Sequence, residues 1–333
     1  MPDLDSLSIL FIWTAIAIYA VAFVAYAFDL ARRSEVSSDA RLVRDREQAL
    51  VGAGAPAVSA GASSGADAGV TASDLPERPR YVMARIGTVL TVLGFVLHLA
   101  ATVTRGIAAE RVPWANLYEF AMTGTLLVVL VYLAVLTRID LRFLGTFITG
   151  LVVVLMGAAA ISFYVGVVPL MDPLKSVWLV IHVFVASLAT AFLALAFALS
   201  VLQLMQSRRE RRLVEAAEKP GPRFLGTLPT ADRLEGMAFR FAIIGFIFWT
   251  FTLIAGAIWA QDAWGRYWGF DVKETWTFII WVLYAGYIHA RATRGWRGNP
   301  SAWLSIVGFT AVIFNFTIVN VFFKGLHAYS GLS

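Results

Sequence analysis

Eight long apolar runs constrain the fold of this chain more than any other feature of its sequence. They cover residues 7–28, 86–104, 117–136, 143–164, 178–204, 241–260, 275–290 and 302–323. A helix needs about 20 predominantly apolar residues to cross the hydrocarbon core of a bilayer. Only 15% of the residues are charged, whereas soluble domains carry about 25% charge. We therefore predict an all-α, polytopic membrane protein with about eight transmembrane helices.

The first and seventh runs differ from the others. The first follows the acidic segment MPDLDS, whereas a cleaved signal peptide begins with basic residues and ends at small ones. We therefore predict that residues 1–30 contain a retained transmembrane helix. The run at 275–290 is short, so its helix is predicted to begin a few residues earlier, inside the polar segment that precedes it.

The distribution of Lys and Arg predicts the orientation of the chain, because basic residues concentrate in cytoplasmic loops. If the N-terminus is outside, the predicted outer segments contain few of the 27 Lys and Arg residues. Those few are Arg105, Arg111, Lys175, Arg266, Lys273 and Lys324. We therefore predict that both termini are extracytoplasmic. The net charge of +5 reflects this topology, so it does not indicate nucleic-acid binding.

A polar segment at residues 31–80 separates the first span from the rest of the chain. It begins with the charged stretch ARRSEVSSDARLVRDREQ, which has the potential to form a surface helix, and continues as an Ala-, Gly- and Ser-rich stretch. Such a composition buries little apolar surface, so we predict a cytoplasmic disordered linker. Residues 81–333 then form a seven-helix domain. The chain has no cysteine, which excludes a disulfide, a thiolate metal site or a CxxCH motif of its own.

The connection between the sixth and seventh runs, a predicted outer loop at 261–276, is unusually rich in rings and charges. Residues 264–276 read WGRYWGFDVKETW. Two simpler interpretations of this segment stay open. Trp and Tyr are enriched at membrane interfaces in general. Asp271 and Glu274 have the spacing of a helix capping box just before an apolar run, and a capping box is compatible with a binding site.

Two of the four histidines are predicted to lie on the same side of the membrane as this loop. His182 follows the start of the fifth run, and His327 follows the end of the eighth. Histidine is a common axial ligand of haem iron, and two facing imidazoles can bind the iron from both sides. A haem also needs a flat apolar surface, close backbone approach and cations for its propionates. The loop residues that offer these features are Trp264, Gly265, Arg266, Tyr267, Trp268, Gly269, Phe270, Lys273 and Trp276.

The other polar residues within spans are also functional candidates. His98 lies inside the second run and His289 lies at the inner end of the seventh, at depths that differ by roughly 15 Å. Histidines within spans are expected to be functional, although an interhelical hydrogen bond or a snorkelling side chain is the simpler alternative. Glu119, near the outer end of the third run, needs a partner such as Arg105 or Arg111, or is an ordinary charge at a helix end.

The combination of WGRYWGFDVKETW with the upstream WLVIHV and the downstream GLHAYSG resembles a known signature. It is similar to the tryptophan-rich "WWD" motif of the CcsA (ResC) family, called CcsB in actinobacteria. That family is the haem-handling subunit of the System II cytochrome c synthase. The resemblance covers residues 81–333. Phe270 stands where the family motif has a third tryptophan, a change that keeps ring stacking but removes an indole N–H.

The resemblance implies roles for individual residues. The outer histidines, His182 and His327, would be axial ligands of haem b, and the segment from Trp264 to Trp276, Asp271 included, would contribute to that site. The transmembrane histidines would belong to an earlier haem site on an export path. The family's N-x-YE segment is matched by Asn116, Tyr118 and Glu119.

The resemblance also implies an activity and partners. The protein would act in the cell membrane, export haem and present it on the extracytoplasmic face for thioether attachment to the CxxCH motif of an apocytochrome c. A ResB/Ccs1-like membrane subunit and a thioredoxin-like thiol reductant would be its partners. Two alternatives stay open, a haem exporter or chaperone without synthase activity, and a b-type electron-transfer subunit. The latter usually carries paired histidines at matched depths on shared helices.

Overall fold

The structure, a computed structural model, contains helices and no strands among the residues that it describes. These are residues 3–53, 82–169, 172–215, 222–293, 296–323 and 325–326, without the side chains of residues 33–53, 172, 173 and 223. Within these ranges the α-helices are α1 (Leu4–Ala53), α2 (Val82–Ala108), α3 (Leu117–Leu136), α4 (Gly145–Ser162), α5 (Val177–Val214), α6 (Ala231–Trp264), α7 (Val272–Ala292), α8 (Asn299–Phe316) and α9 (Ile318–Phe322). The prediction of an all-α fold is confirmed.

Seven of the described segments are long and apolar enough to cross a membrane, which confirms the prediction of a polytopic membrane protein. They are α1 to its residue Arg32, α2, α3, Arg142–Ser162, α5, α6 and Asn299–Phe322. The run at 275–290 forms α7, which begins at Val272, inside the aromatic segment as predicted. Helix α7 carries charged residues in its first and last turns and is not one of these seven segments. The count of eight spans and the orientation of the termini stay predictions.

The predicted linker at 31–80 lies partly within the described residues. Helix α1 continues to Ala53. It therefore includes the charged stretch for which the sequence allows a surface helix. The remaining part, 54–80, lies outside the described residues, as does His327.

Two apolar cores hold the helices together, and α3 contributes to both. One core joins α1, α2, α3 and α4 around Tyr19, Met122 and Met156. The other joins α3, α4, α5, α6, α7 and α8 around Leu195, Trp249 and other side chains. Burial of this kind fixes the rotation of each helix, and so it determines which polar side chains face one another at the helix ends.

Small residues and side-chain hydrogen bonds bring α5, α6 and α7 close together. Gly245 of α6 lies against Leu193 of α5, where an added Cβ would come within 2.6 Å of a leucine methyl carbon. Small residues permit such approach between membrane helices. Helix α7 is joined to α6 by the indole N–H of Trp249, which donates to the carbonyl of Thr277 at 3.0 Å. These contacts hold the first turns of α5 and α7 beside the last turns of α6.

Candidate functional site

A cleft opens at the end of the bundle where α3, α5 and α7 begin and α6 ends. It encloses about 1110 Å³ of empty space, its opening to solvent included. Among the predicted site residues its lining includes Asn116, His182, Tyr267, Trp268 and Lys273. Residues far apart in the sequence thus meet at one end of the molecule. This is the end that the topology predicts to be extracytoplasmic.

The loop beside the cleft is built from a helix stop followed directly by a helix start. Helix α6 stops at Gly265, whose left-handed backbone (φ 70°, ψ 16°) places its N–H 2.9 Å from the carbonyl of Gln261. Glycine adopts this conformation without the penalty that a side chain would bring. Asp271 is the N-cap of helix α7, and Phe270, which lies between Gly265 and this cap, also has a positive φ of 57°. The two closely spaced helix ends fold the aromatic segment back on itself.

The predicted capping box is confirmed. The side chain of Asp271 caps the first turn of α7, and the Glu274 carboxylate accepts the Asp271 N–H at 3.0 Å and the Gly269 N–H at 2.9 Å. The other Asp271 oxygen accepts the N–H of Leu326 at 3.1 Å. Leu326 directly precedes His327 in the sequence. The carboxylate that starts α7 therefore also holds the chain that follows α9.

Arg266 and Lys273, the cations predicted for propionates, occupy different environments. The Arg266 guanidinium lies against Gly269, where an added Cβ would overlap it, and its Nη1 is 3.5 Å from Glu274. Lys273 lines the cleft, and its Nζ bonds with the amide oxygen of Asn320 and lies 6.0 Å from the centre of the Phe316 ring. Arg266 thus neutralises a carboxylate within the loop, while Lys273 places its charge in the cleft.

His182 lies in the second turn of α5, lines the cleft and packs directly against α6. Its Nδ1 is 3.0 Å from the carbonyl oxygen of Thr252. A carbonyl only accepts, so this contact places the proton on Nδ1 and leaves the lone pair of the ring on Nε2. The ring also stacks on Trp259, with centroids 5.8 Å apart. Gly256 makes room for it, since a Cβ there would come within 2.7 Å of the imidazole.

The aromatic residues of the loop divide between the cleft, the protein interior and the surface. Tyr267 and Trp268 line the cleft. Trp264 packs on Trp259 with ring centroids 4.9 Å apart, and Trp276 packs on Phe314 of α8 at 4.5 Å. The structure also shows Tyr267 and Phe270 largely exposed, with Phe270 at 80%. The ring surface of the cleft therefore comes only partly from the predicted loop residues.

Most of the cleft lining lies outside the residue set predicted from the sequence, and Trp114, Trp259 and Asn315 are three examples. Trp114 and Trp259 line it with their indoles, and Asn315 contributes an amide. Trp259 had a detectable signal, because it extends the tryptophan-rich stretch by five residues toward the N-terminus. Trp114 lies two residues before Asn116 in PWAN, so it also had a local signal. Asn315 had none, because a lone amide in an apolar run is typical of a helix-joining hydrogen bond.

Glu119 belongs to a buried ion network beside the cleft. It accepts hydrogen bonds from Arg105 Nε at 3.0 Å and from Arg111 Nη1 at 2.7 Å, which confirms that it has a cationic partner. Both Arg105 and Glu119 have side chains without exposed surface. Arg105 also reaches Asp5 of α1, and Tyr164 donates to that carboxylate at 3.0 Å. Burial, with Asp5 nearby, raises the pKa of Tyr164 above its usual value. The network joins α1, α2 and α3 to the segment after α4.

The structure places the two transmembrane histidines in different environments. His98 is fully buried, with Nε2 2.8 Å from the Met122 carbonyl and Nδ1 3.5 Å from the hydroxyl of Tyr19. His289 is exposed near the end of α7. Helix α7 packs against α6, α8 and α9, whereas the contacts of His98 are with α1 and α3. The described contacts therefore do not join His98 to His289.

A comparison with protein families shows the family to which the chain belongs. Residues 114–327 match the family described as cytochrome C assembly protein. The match covers more than half of the chain, from the cleft residue Trp114 to His327. The chain therefore belongs to the cytochrome c assembly protein family. Its general role is in cytochrome c maturation.

Individual relatives of the chain belong to the CcsA family, which is the family that the tryptophan-rich motif resembles. The chain is similar to the cytochrome c biogenesis protein CcsA of Heterosigma akashiwo, with 34% identity over 249 residues, 66% of this chain and 77% of the relative. It is 32% identical to CcsA of Guillardia theta over 262 residues, 74% of this chain and 86% of the relative. The predicted membership of the CcsA family is thus confirmed.

A solved structure shares the fold. The cytochrome c heme lyase CcmF superposes with a TM-score of 0.61 over 95% of this chain and 47% of its own length, at 15% identity. The chain therefore spans about half the length of CcmF. At this identity, the likeness shows the arrangement of helices alone.

Proposed function

We propose that the cleft binds haem b and presents it on the extracytoplasmic side for covalent attachment to apocytochrome c. The observation that carries the proposal is the hydrogen bond from His182 Nδ1 to the Thr252 carbonyl. Histidines that ligate metals donate their other ring N–H in this way, because the bond fixes the tautomer and the ring orientation. In this proposal His182 Nε2 is one axial ligand of the haem iron. The rings of Trp268 and Trp259 supply apolar surface beside it.

His327 is proposed as the second axial ligand. The support comes from its neighbour, since Leu326 bonds to Asp271 at the start of α7, and from the CcsA family resemblance. The same capped helix start carries Lys273 into the cleft. Asp271 is therefore proposed to align two parts of the site, the loop and the segment that contains His327.

The chemistry of attachment belongs to the haem and its acceptor, and the protein supplies position. Each cysteine thiol of the CxxCH motif adds across one vinyl group, with sulfur bonded to the carbon next to the ring and the proton to the terminal carbon. No electron is gained or lost in this addition. The histidine of CxxCH then replaces one protein ligand on the iron. Residues of this chain hold the haem in a cleft that opens to solvent, where an unfolded segment can reach it.

The proposal includes export of haem and two partners. Haem would pass from the cytoplasm by way of an inner site that involves His98 and His289. Because both ring nitrogens of His98 contact protein atoms, ligation there requires loss of one contact. A ResB/Ccs1-like membrane subunit would act together with the chain in the cell membrane. A thioredoxin-like protein would keep the apocytochrome thiols reduced.

The visible spectrum of the protein, purified with its ResB-like partner, tests the outer site. We expect sharp low-spin haem bands in the unsubstituted protein. They should be lost in His182→Ala and in His327→Ala and restored by added imidazole, which replaces the missing ligand. Asp140→Ala, an exposed position that does not line the cleft, is the control for this site and should keep the bands. Bands unchanged in both His182→Ala and His327→Ala would refute the proposed ligands.

Reconstitution separates synthesis from transport. The complex is loaded with haem and mixed with reduced apocytochrome, and haem that survives denaturation is measured on the product. Covalent haem is expected. Bound haem without covalent product would favour an exporter or chaperone. A fixed haem with a reversible potential and quinone-dependent reduction would favour an electron-transfer subunit.

A further inference from the structure

The start of α3 supplies the cleft with a hydrogen-bond donor whose direction is fixed by the fold. Asn116 is the N-cap of α3, and its side-chain oxygen accepts the backbone N–H of Glu119 at 2.9 Å. A backbone N–H can only donate, so the cap requires the oxygen of the amide to face the helix. The NH₂ group must then point away from the helix. The cap therefore determines that the NH₂ end is the part of the amide left for a partner other than the helix, and Asn116 is among the residues that line the cleft.

This NH₂ group is buried without a partner in the described part of the protein. Asn116 is only 5% exposed, and its Nδ2 has no hydrogen-bond partner among the described residues. The same holds for the indole Nε1 of Trp114, which also lines the cleft. A buried donor that stays unpaired is costly, whereas an acceptor on a ligand removes that cost. Two such donors, two residues apart, indicate a ligand with acceptor oxygens.

Positive charge lies on the same side of the cleft. Phe120, one turn after Asn116 in α3, stacks on Phe316 of α8 with ring centroids 5.1 Å apart. The ammonium group of Lys273 lies 6.0 Å from the centre of that same Phe316 ring. The N-terminus of α3 adds the partial positive charge of its helix dipole. An acceptor that binds here is therefore favoured if it is an anion.

We propose that Asn116 Nδ2 and Trp114 Nε1 donate hydrogen bonds to a carboxylate of the ligand in the cleft, and that Lys273 supplies the compensating charge. The inference rests on the proposed function, under which this carboxylate is a haem propionate. It differs from the sequence-based expectation for Arg266, whose guanidinium is paired with Glu274. Asn116 thereby has two roles. The oxygen of its amide caps the N-terminus of α3, and the NH₂ group of the same amide orients the haem.

Substitutions that keep the cap but remove the donor test this inference. Serine and aspartate both cap helices well, and neither offers an amide NH₂. Each variant is titrated with haem and with iron octaethylporphyrin, which carries ethyl groups where haem has vinyls and propionates. Asn116→Ser should weaken haem binding at least about tenfold, the lower end for a hydrogen bond to a charged group. Asn116→Asp should weaken it further by repulsion. Octaethylporphyrin binding should not change in Asn116→Ser.

Asn315 offers a matched control within the same cleft. Its side chain lies 3.3 Å from the Thr277 hydroxyl, which already donates its proton to the Lys273 carbonyl. The hydroxyl must therefore accept from Asn315, so the group of Asn315 that faces it is the Nδ2 donor. The amide oxygen of Asn315, which is buried without a partner among the described residues, therefore points away from Thr277, and an acceptor there does not favour a carboxylate. In Asn315→Ser, any loss of affinity should be equal for the two porphyrins. Trp114→Phe, which keeps a ring but loses the N–H, should weaken haem binding selectively.

Two outcomes separate this inference from the proposed function. If haem shows His182-dependent bands but Asn116→Ser and Trp114→Phe bind both porphyrins as the unsubstituted protein does, the carboxylate contact is wrong and the haem site stands. If the unsubstituted protein shows no His182-dependent bands, the proposed function fails and this inference fails with it.

Discussion

Removal of the Glu119 carboxylate tests the buried ion network beside the cleft. Glu119 accepts from Arg105 Nε at 3.0 Å, from Arg111 Nη1 at 2.7 Å and from the Ala115 N–H at 2.9 Å. In Glu119→Ala the Arg105 guanidinium stays fully buried without this anion. Loss of one partner from a buried ion pair costs about 3–5 kcal/mol. The effect should be large, because water cannot replace the carboxylate in a site with no exposed surface.

Other contacts of Arg105 set the expected size of the loss. Arg105 keeps the Asp5 carboxylate, which is partly exposed, and the Val165 carbonyl at 2.6 Å. We therefore expect Glu119→Ala to lower the free energy of unfolding by about 3 kcal/mol, the lower end of the range for broken buried pairs. Glu119→Gln keeps an acceptor oxygen without the charge and should lose about 1–2 kcal/mol, as for a weakened hydrogen bond to a charged group.

The assay is a reversible unfolding titration with SDS in mixed micelles, followed by circular dichroism. Asp140→Ala is the matched control, because Asp140 and Arg142 form an ion pair 2.6 Å long whose side chains are 59% and 28% exposed. Such surface pairs contribute about 0–1 kcal/mol. A loss in Glu119→Ala no larger than the loss in Asp140→Ala would refute the reasoning that burial makes this network strong.

Two further predictions concern the cleft and its loop. In Gly256→Ala, a Cβ within 2.7 Å of the His182 ring should displace the imidazole and reduce the low-spin haem bands. The control Gly157→Ala, whose added Cβ meets no atom within 4 Å, should leave the bands unchanged. Equal spectra for the two variants would mean that the position of the His182 ring is not critical. Asp271→Ala removes the cap of α7 and should lower the free energy of unfolding by about 1 kcal/mol. Asp271→Asn keeps a capping oxygen and should lower it by less. The SDS titration measures both variants, and a larger loss in Asp271→Asn than in Asp271→Ala would contradict the role of Asp271 as a cap.

Features that depend on neighbours in the chain were predictable from the sequence. The apolar runs predicted an all-α membrane protein because hydrophobic length alone decides whether a helix can cross a bilayer. The start of α7 inside the aromatic segment followed from Asp271 and Glu274, whose capping bonds span three residues. The motif and its flanking histidines also indicated the CcsA family, to which the comparisons then assigned the chain.

The sequence was less informative where one residue type fits two environments. Arg266 and Lys273 were equivalent as cations, yet Arg266 lies against Gly269 and pairs with Glu274, while Lys273 faces the cleft. Their difference arises from the left-handed turn at Gly265, which folds the loop back. Neither hydropathy nor residue type predicts how the loop folds back.

The sequence by itself determined the membrane class, the capped start of α7 and the family, because each depends on short-range pattern. Only the tertiary structure decided that the Thr252 carbonyl orients His182, and that Trp114 and Asn116 open onto the same cleft as Lys273. These contacts bring together residues that lie 70 or more positions apart in the chain. They depend on how each helix is rotated by the packing of its apolar face, a property that emerges only when all the helices pack together.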